Sequence, residues 1–190
     1  MILNDFISES SGYSLQGSFT SDLTKSKIWL LYELGKLVDH VDVVYILGSW
    51  YGNISLYMIL QPEFQFDKII NVEKNKSMLQ QSRRMLKRVG GDNVEHMLVN
   101  ANNIDYRQLG NNGLVINTSL TDMPGRGWFD NIPQGTLVAL QARDHDLGRQ
   151  FHSTKNIIDQ FPMDKILYQG SLKLTDPETN YTRFMVIGRK

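Results

Sequence analysis

Apolar residues early in the chain follow two different rhythms. From Ser21, a good N-cap type, they recur at Leu23, Leu30, Leu31, Leu34, Leu37 and Val38, the spacing of one helix face, which predicts a helix over 21–39. Asp42-Val-Val-Tyr-Ile-Leu47 is instead a short apolar run ended by Gly48, as expected of a buried parallel strand. The two rhythms then alternate. Residues 53–60 form a short apolar helix stopped near Pro62, and Lys68-Ile-Ile-Asn-Val72 a second strand ending at Glu73. Met78, Leu79, Ser82, Met85, Leu86 and Val89 mark a further helix, with Gly90-Gly91 as its stop. Residues 94–99, 114–117 and 136–141 read as strands three to five, with Trp128-Phe129 in a short helix or turn before Pro133-Gln-Gly135. A helix over 151–161 follows, and then two strands, 165–174 and 181–188, joined by the turn-rich Asp176-Pro-Glu-Thr-Asn180.

Alternating strands and helices imply a parallel sheet with helices on both faces. The closing hairpin adds antiparallel pairing at one edge. The expectation is a single Rossmann-like α/β domain over 21–190. Residues 1–20 are polar and rich in Ser and Gly, and precede it as a lid or an exposed tail.

Composition narrows the function more by exclusion than by assignment. The 190 residues are 41% hydrophobic and 21% charged, ordinary for a globular chain with a substantial core. Basic and acidic residues balance at 20 each, so no global field draws the chain onto a polyanion, and long nucleic acid is not favoured as a partner. A local basic groove stays open. There is no cysteine, which removes disulfides, thiolate metal sites and cysteine nucleophiles together, and the His-containing stretches lack recognised metal-ligand spacing. No run reaches the ~18 apolar residues of a membrane span, and Met1–Phe6 lacks the basic start and apolar stretch of a signal peptide. Cytoplasm is the expected compartment.

Three features coincide where open α/β sheets place their ligands, at the C-terminal ends of the first strands. Gly48-Ser-Trp-Tyr-Gly52 is a turn whose glycines let backbone approach a ligand and set the next helix's N–H groups beside it. Glu73 follows 21 residues after Gly52, at the end of strand two, where a carboxylate can accept from both hydroxyls of a ribose. Asn100-Ala-Asn-Asn103 follows strand three, where short amides can read an adenine edge. Together they point to a bound adenosine moiety.

With Tyr45-Ile-Leu-Gly-Ser-Trp-Tyr-Gly52, Val72-Glu73, Val115-Ile-Asn-Thr-Ser119 and Trp128-Phe-x-x-Ile-Pro-x-Gly135, residues 21–190 resemble the class I S-adenosylmethionine-dependent methyltransferases. The nearest look is that of small phage and bacterial members, which would place a phage-encoded chain in the host cytoplasm. The resemblance implies a seven-stranded sheet closed by an antiparallel hairpin, with S-adenosylmethionine as cofactor. It places the methionine part over Gly48–Gly52, the ribose on Glu73 and the adenine by Asn102. The contact set it suggests includes Ser49, Trp50, Tyr51, Lys74 and Asn117. Trp50 departs from the usual G-x-G-x-G by taking the middle glycine's place, so its side chain must turn away for the site to stay open.

Methyl transfer is in-line displacement, for which a protein positions an acceptor and, where needed, takes its proton. Candidate bases are Asp122 in the loop after strand four, and Asp144, His145 or His152 after strand five. Arg143-Asp-His-Asp146 is either a solvated loop or a polar wall of the acceptor pocket, and Lys27 either a surface lysine or a contact to the acceptor or the methionine carboxylate. Without a Pro-Pro pair the chain lacks the [DNS]-P-P-[YFW] of amino-methylating nucleic-acid enzymes, and without cysteine it cannot be a pyrimidine C5 enzyme of the thiolate type. A small-molecule or locally bound acceptor is expected. Two other functions stay open: an NAD-dependent oxidoreductase, which shares the acid after strand two but not the G-x-G-x-x-G spacing, and a Rossmann-like module that binds an adenosine ligand or a partner without turnover.

Overall fold

The computed structural model describes residues 15–123, 125–144, 151–175 and 179–190. Strands β1 (His40–Leu47), β2 (Gln65–Glu73), β3 (Val94–Leu98), β4 (Gly113–Asn117), β5 (Leu137–Arg143), β6 (Lys165–Thr175) and β7 (Asn180–Arg189) form one sheet. Its order is β3-β2-β1-β4-β5-β7-β6. The first five strands run parallel, and β7 inserts antiparallel between β5 and β6. The expected seven-stranded sheet with its terminal hairpin is therefore present.

Side chains alternate across the sheet, so each central strand feeds two apolar layers. Tyr45, Leu47, Val115, Val138 and Leu140 enter one, covered by α4 (Gly127–Asp130) and α5 (Thr154–Gln160). Val44, Ile46, Leu114, Ile116 and Ala139 enter the other, beneath α1 (Ser21–Gly35) and α2 (Asn53–Leu60). Helix α3 (Lys76–Arg88) docks on α2 through Leu56, Met85 and Leu86, while Arg83, Arg84, Lys87 and Arg88 face solvent as expected of a charged helix face. Trp128 and Phe129 are fully buried, packing on Phe161, so the short α4 is an anchor in the core.

Two helix ends differ from the sequence expectation by three residues or more. Helix α1 stops at Gly35 instead of residue 39, although Leu37 and Val38 keep the apolar spacing. A Cβ at Gly35 would lie 2.7 Å from the Glu63 carbonyl oxygen, so the chain passes another backbone closely there, and Leu37 and Val38 pack from a loop. Helix α5 starts at Thr154, where the Ser153 side chain caps it by accepting from the Asn156 N–H, and Phe151 is a buried anchor ahead of it. The turn over 176–180 falls largely outside the described residues.

Buried polar side chains tie the helices to the sheet. Ser26 donates to Gln141 Oε1 (3.0 Å) while Gln141 Nε2 donates back to the Ser26 carbonyl (3.1 Å), pinning α1 to β5. Tyr181 donates to Asp22 Oδ2 at 2.6 Å, pinning the start of α1 to β7. Toward the β3 edge Ser55 donates to Asn71, and Ser82 is hydrogen-bonded to His96 Nε2 at 3.1 Å. His96 is therefore structural. Burial, with the Arg83 charge adding, lowers its pKa to about 4.

That depression has a consequence for stability. Unfolded His96 takes up a proton below its ordinary value near 6.5, whereas the folded ring stays neutral down to about 4. Stability is thus complete above about pH 6.5 and declines as pH falls toward 4, by about 1–2 kcal/mol after discounting for the ring's partial solvent access. Urea unfolding at pH 7 and pH 5 should show the loss, and His96→Asn should flatten it.

Candidate functional site

The C-terminal ends of the parallel strands open into a cleft of about 710 Å³. It extends along the sheet edge from the loop after β3, past the ends of β2, β1 and β4, to the end of β5 and the facing part of β7.

The turn after β1 is shaped by left-handed backbone at three residues: Gly48 (φ 59°), Trp50 (φ 53°) and Gly52 (φ 79°). Trp50 is the one non-glycine residue at positive φ among the described residues. Such a conformation costs an ordinary residue about 1–3 kcal/mol and persists only when the surroundings hold it. Glu73 does the holding. Its Oε2 accepts from the Trp50 N–H at 3.0 Å and its Oε1 from the Asn75 N–H at 2.9 Å. The carboxylate, 8% exposed, thereby joins the turn after β1 to the turn after β2 while lining the cleft. Each of its oxygens has further lone-pair capacity for a ligand hydroxyl. Trp50 also lines the cleft, with its ring against Tyr51 (centroids 5.4 Å apart), and the cleft stays open beside it.

Of the residues singled out from sequence, Gly48, Ser49, Trp50, Glu73, Lys74, Asn102 and Asp122 come together in this one cleft. Four others do their work beside it. Tyr51 is buried behind the turn, and Gly52 sits against Ser82 and Leu86 of α3. Asn117 is fully buried and shapes the loop after β4, accepting from the Ser119 N–H and donating to Met123 Sδ. Asp144 clamps β5 to β7, its Oδ1 accepting from the Thr182 N–H at 2.8 Å. His145 lies outside the described residues. Asn102 lines the cleft, but its Oδ1 accepts from the Trp128 N–H at 3.1 Å, so it also holds the start of α4. Asp122 is exposed in the loop after β4 and faces the same space.

The structure adds residues that sequence reasoning passed over. Ser18, at the end of the polar leading segment, is buried against α2, where Asn53 Nδ2 donates to its carbonyl and hydroxyl, and it too lines the cleft. Thr118 and Arg183 join from β4 and β7, Arg183 Nη2 donating to the Thr118 carbonyl at 3.1 Å. Nothing in the alternation Tyr181-Thr-Arg-Phe184 marks Arg183 in advance. Its place follows from register, which sets it directly opposite Arg143.

Among the cleft-lining side chains, Ser49 Oγ, Asn53 Oδ1 and Trp128 Nε1 are buried polar atoms with no hydrogen-bond partner among the described residues. Buried polar atoms are nearly always satisfied, so these unpaired atoms at the cleft wall fit a site that takes a polar ligand. Helix α2 also opens without a side-chain cap, leaving first-turn N–H groups toward the loop. Separately, His40, Asp42 and Asp67 cluster at the opposite, N-terminal ends of β1 and β2, where His40 Nε2 lies 2.9 Å from Asp67 Oδ1. That group is remote from the cleft.

This strand order matches the Rossmann-like fold of methyltransferases, and the likeness to solved structures is one of fold. An rRNA methylase from Streptococcus thermophilus aligns over 90% of this chain and 99% of its own, with a TM-score of 0.58 and 14% identity. TrmK from M. capricolum, solved with S-adenosylhomocysteine, aligns over 82% and 66%, with a TM-score of 0.58 and 12% identity. A precorrin-6y C5,15-methyltransferase from Geobacter metallireducens aligns over 88% of both chains, with a TM-score of 0.55 and 13% identity. No protein-family model matches the sequence, and no curated protein matches it. Antiparallel β7 between β5 and β6 also departs from the 3-2-1-4-5-6 order of dinucleotide-binding sheets. No helix among the described residues is long and apolar enough to cross a membrane.

Proposed function

We propose that this chain binds S-adenosylmethionine in the cleft and transfers its methyl group to an acceptor. The observation that carries this reading is the Glu73 carboxylate, buried at the end of β2 and tied to the left-handed turn after β1 within one cleft. The residues present fit the cofactor. Glu73 would take the ribose, the Gly48–Gly52 turn and the uncapped start of α2 the methionine part, and Ala101 and Asn102 the adenine side. Ser49 Oγ and Trp128 Nε1 supply polar atoms that the protein itself leaves unpaired. A volume of about 710 Å³ suits a ligand of that size.

When bound, the cofactor supplies an electrophilic methyl on sulfonium: an acceptor lone pair forms the new bond to carbon as the S–C bond breaks, leaving a thioether. The chain's residues orient the two partners and manage the proton. Asp122, exposed at the cleft on the loop after β4, would receive a proton from an acceptor N–H or O–H. Met123 and Trp128 line the same region and limit water there.

Calorimetric titration with S-adenosylmethionine and S-adenosylhomocysteine tests the reading. One-to-one micromolar binding is expected, an order of magnitude common for such sites. Absence of binding to both ligands would sink it, and binding without transfer to any acceptor would point to a ligand-binding domain instead.

A further inference from the structure

The chain as a whole balances its charges, 20 against 20, but the cleft does not. Among the described residues four basic side chains line it (Lys27, Lys74, Arg143 and Arg183) against two acidic ones, Glu73 and Asp122. Three of the four cations gather at one end. Arg143 closes β5 and Arg183 lies directly opposite it on β7, so the two guanidinium groups leave the same face of the sheet. Lys27 comes down on them from α1.

None of the three is there by chance of surface exposure. Arg183 is 5% exposed and anchored by its bond to the Thr118 carbonyl. Arg143 lies over the Tyr181 ring, its guanidinium carbon 4.3 Å from the centroid. Lys27 directly follows Ser26 on α1, whose bond to Gln141, with that of Asp22 to Tyr181, fixes the helix over the end of the cleft. Among the described residues no carboxylate forms an ion pair with Lys27. Asp22 acts on it through space, but Asp22 Oδ2 already takes the Tyr181 hydroxyl. Burial, with the Arg183 charge adding, pushes the Lys27 ammonium well below the usual lysine range.

Position then assigns the part of the cleft these side chains serve. Glu73, Asn102 and the turn after β1 occupy the β3-β2-β1 half of the cleft, whereas the cations occupy the β5-β7 half, beyond the loop after β4. The cofactor's own carboxylate would find backbone N–H partners at the start of α2, which has no side-chain cap. We infer that Lys27, Arg143 and Arg183 form the acceptor subsite and hold a small acceptor by an anionic group, a carboxylate or a phosphate. This rests on the methyltransferase reading for the word acceptor, but the anion site stands on its own geometry.

The test is calorimetric titration of inorganic phosphate, and separately of succinate, onto the protein with and without saturating S-adenosylhomocysteine. Lys27→Gln and Arg143→Gln are compared with the wild type. Saturable one-to-one binding of at least one anion is expected to the wild-type complex, weakened about tenfold or more in both variants, as loss of a charge-assisted contact requires. The arm that binds more tightly tells phosphate from carboxylate. Affinity for S-adenosylhomocysteine should stay within about threefold. The inference is overturned if neither anion binds the wild type, or if both variants bind anions undiminished. It is also overturned if the variants lose S-adenosylhomocysteine affinity about tenfold while anion and S-adenosylhomocysteine compete, since the cluster would then serve the cofactor's carboxylate. Retained S-adenosylhomocysteine binding and a cooperative melt show that a variant is folded, and Lys27→Gln decides should Arg143→Gln not fold. Wild-type protein that binds anions at this cluster but no S-adenosylhomocysteine would sink the methyltransferase reading and leave the anion site.

Discussion

Glu73→Ala is expected to weaken S-adenosylmethionine binding by about 1–3 kcal/mol, roughly 5- to 150-fold, the range for losing a hydrogen bond to a charged group. Two losses add. The ligand loses an ionised acceptor at the ribose position. The protein loses the acceptor for the Trp50 and Asn75 N–H groups, and with it the bond that keeps Trp50 at φ 53°. Once that bond is gone, Trp50 has little reason to stay left-handed, and the turn that cradles the methionine part relaxes. Glu73→Gln separates the effects. It keeps the size and one carbonyl acceptor, so the turn should hold better while the charge is lost, and affinity should fall between the two. Calorimetry measures the ligand term and thermal unfolding the turn term. Equal affinity for wild type and Glu73→Ala would remove Glu73 from the site.

Most of the architecture was legible because buried parallel strands leave continuous apolar runs. Residues 42–47, 68–72 and 114–117 are such runs, and each proves to be the core of a strand buried on both faces. The hairpin was legible from turn residues between two alternating runs, and the placement of Gly48 and Glu73 at strand ends followed from the same boundaries. What could not be read depends on contacts between distant segments. Gly35 ends α1 because Glu63 passes beside it, and no local spacing records that approach. Asp144 and Asn117 have the chemistry of site residues, but Thr182 and Met123 engage them as structural groups. Arg183 looks like any polar residue on a strand, and only the β5–β7 register brings it to Arg143.

The glycine turn can be tested from the protein's side as well as the ligand's. Gly52→Ala is expected to destabilise the fold by about 2–4 kcal/mol, combining the strain of a side chain at positive φ with overpacking of a filled interior. Gly52 has φ 79°, and a Cβ there would collide with Ser82 Oγ and lie 3.1 Å from Leu86 Cδ1. Neither neighbour yields cheaply. Leu86 is fully buried between α2 and α3, and Ser82 is bonded to His96 and within reach of Asn71. The expected drop in melting temperature is roughly 5–15 °C for a chain of this size. Gly48→Ala is the informative partner. Its Cβ would meet the terminal methyl of Met123 at 2.6 Å, the far end of a flexible side chain, so relief is available and the cost reduces toward the φ strain alone. Gly48 and Met123 both line the cleft, however, and a displaced Met123 moves into the ligand's space. Gly52→Ala should thus lose stability first and binding as a consequence, whereas Gly48→Ala should lose binding while keeping most of its stability. Urea unfolding and S-adenosylhomocysteine titration of both variants would show that split. Equal losses in both quantities for both variants would mean that the turn acts as one rigid unit, with no separate floor against α3 and rim at the cleft.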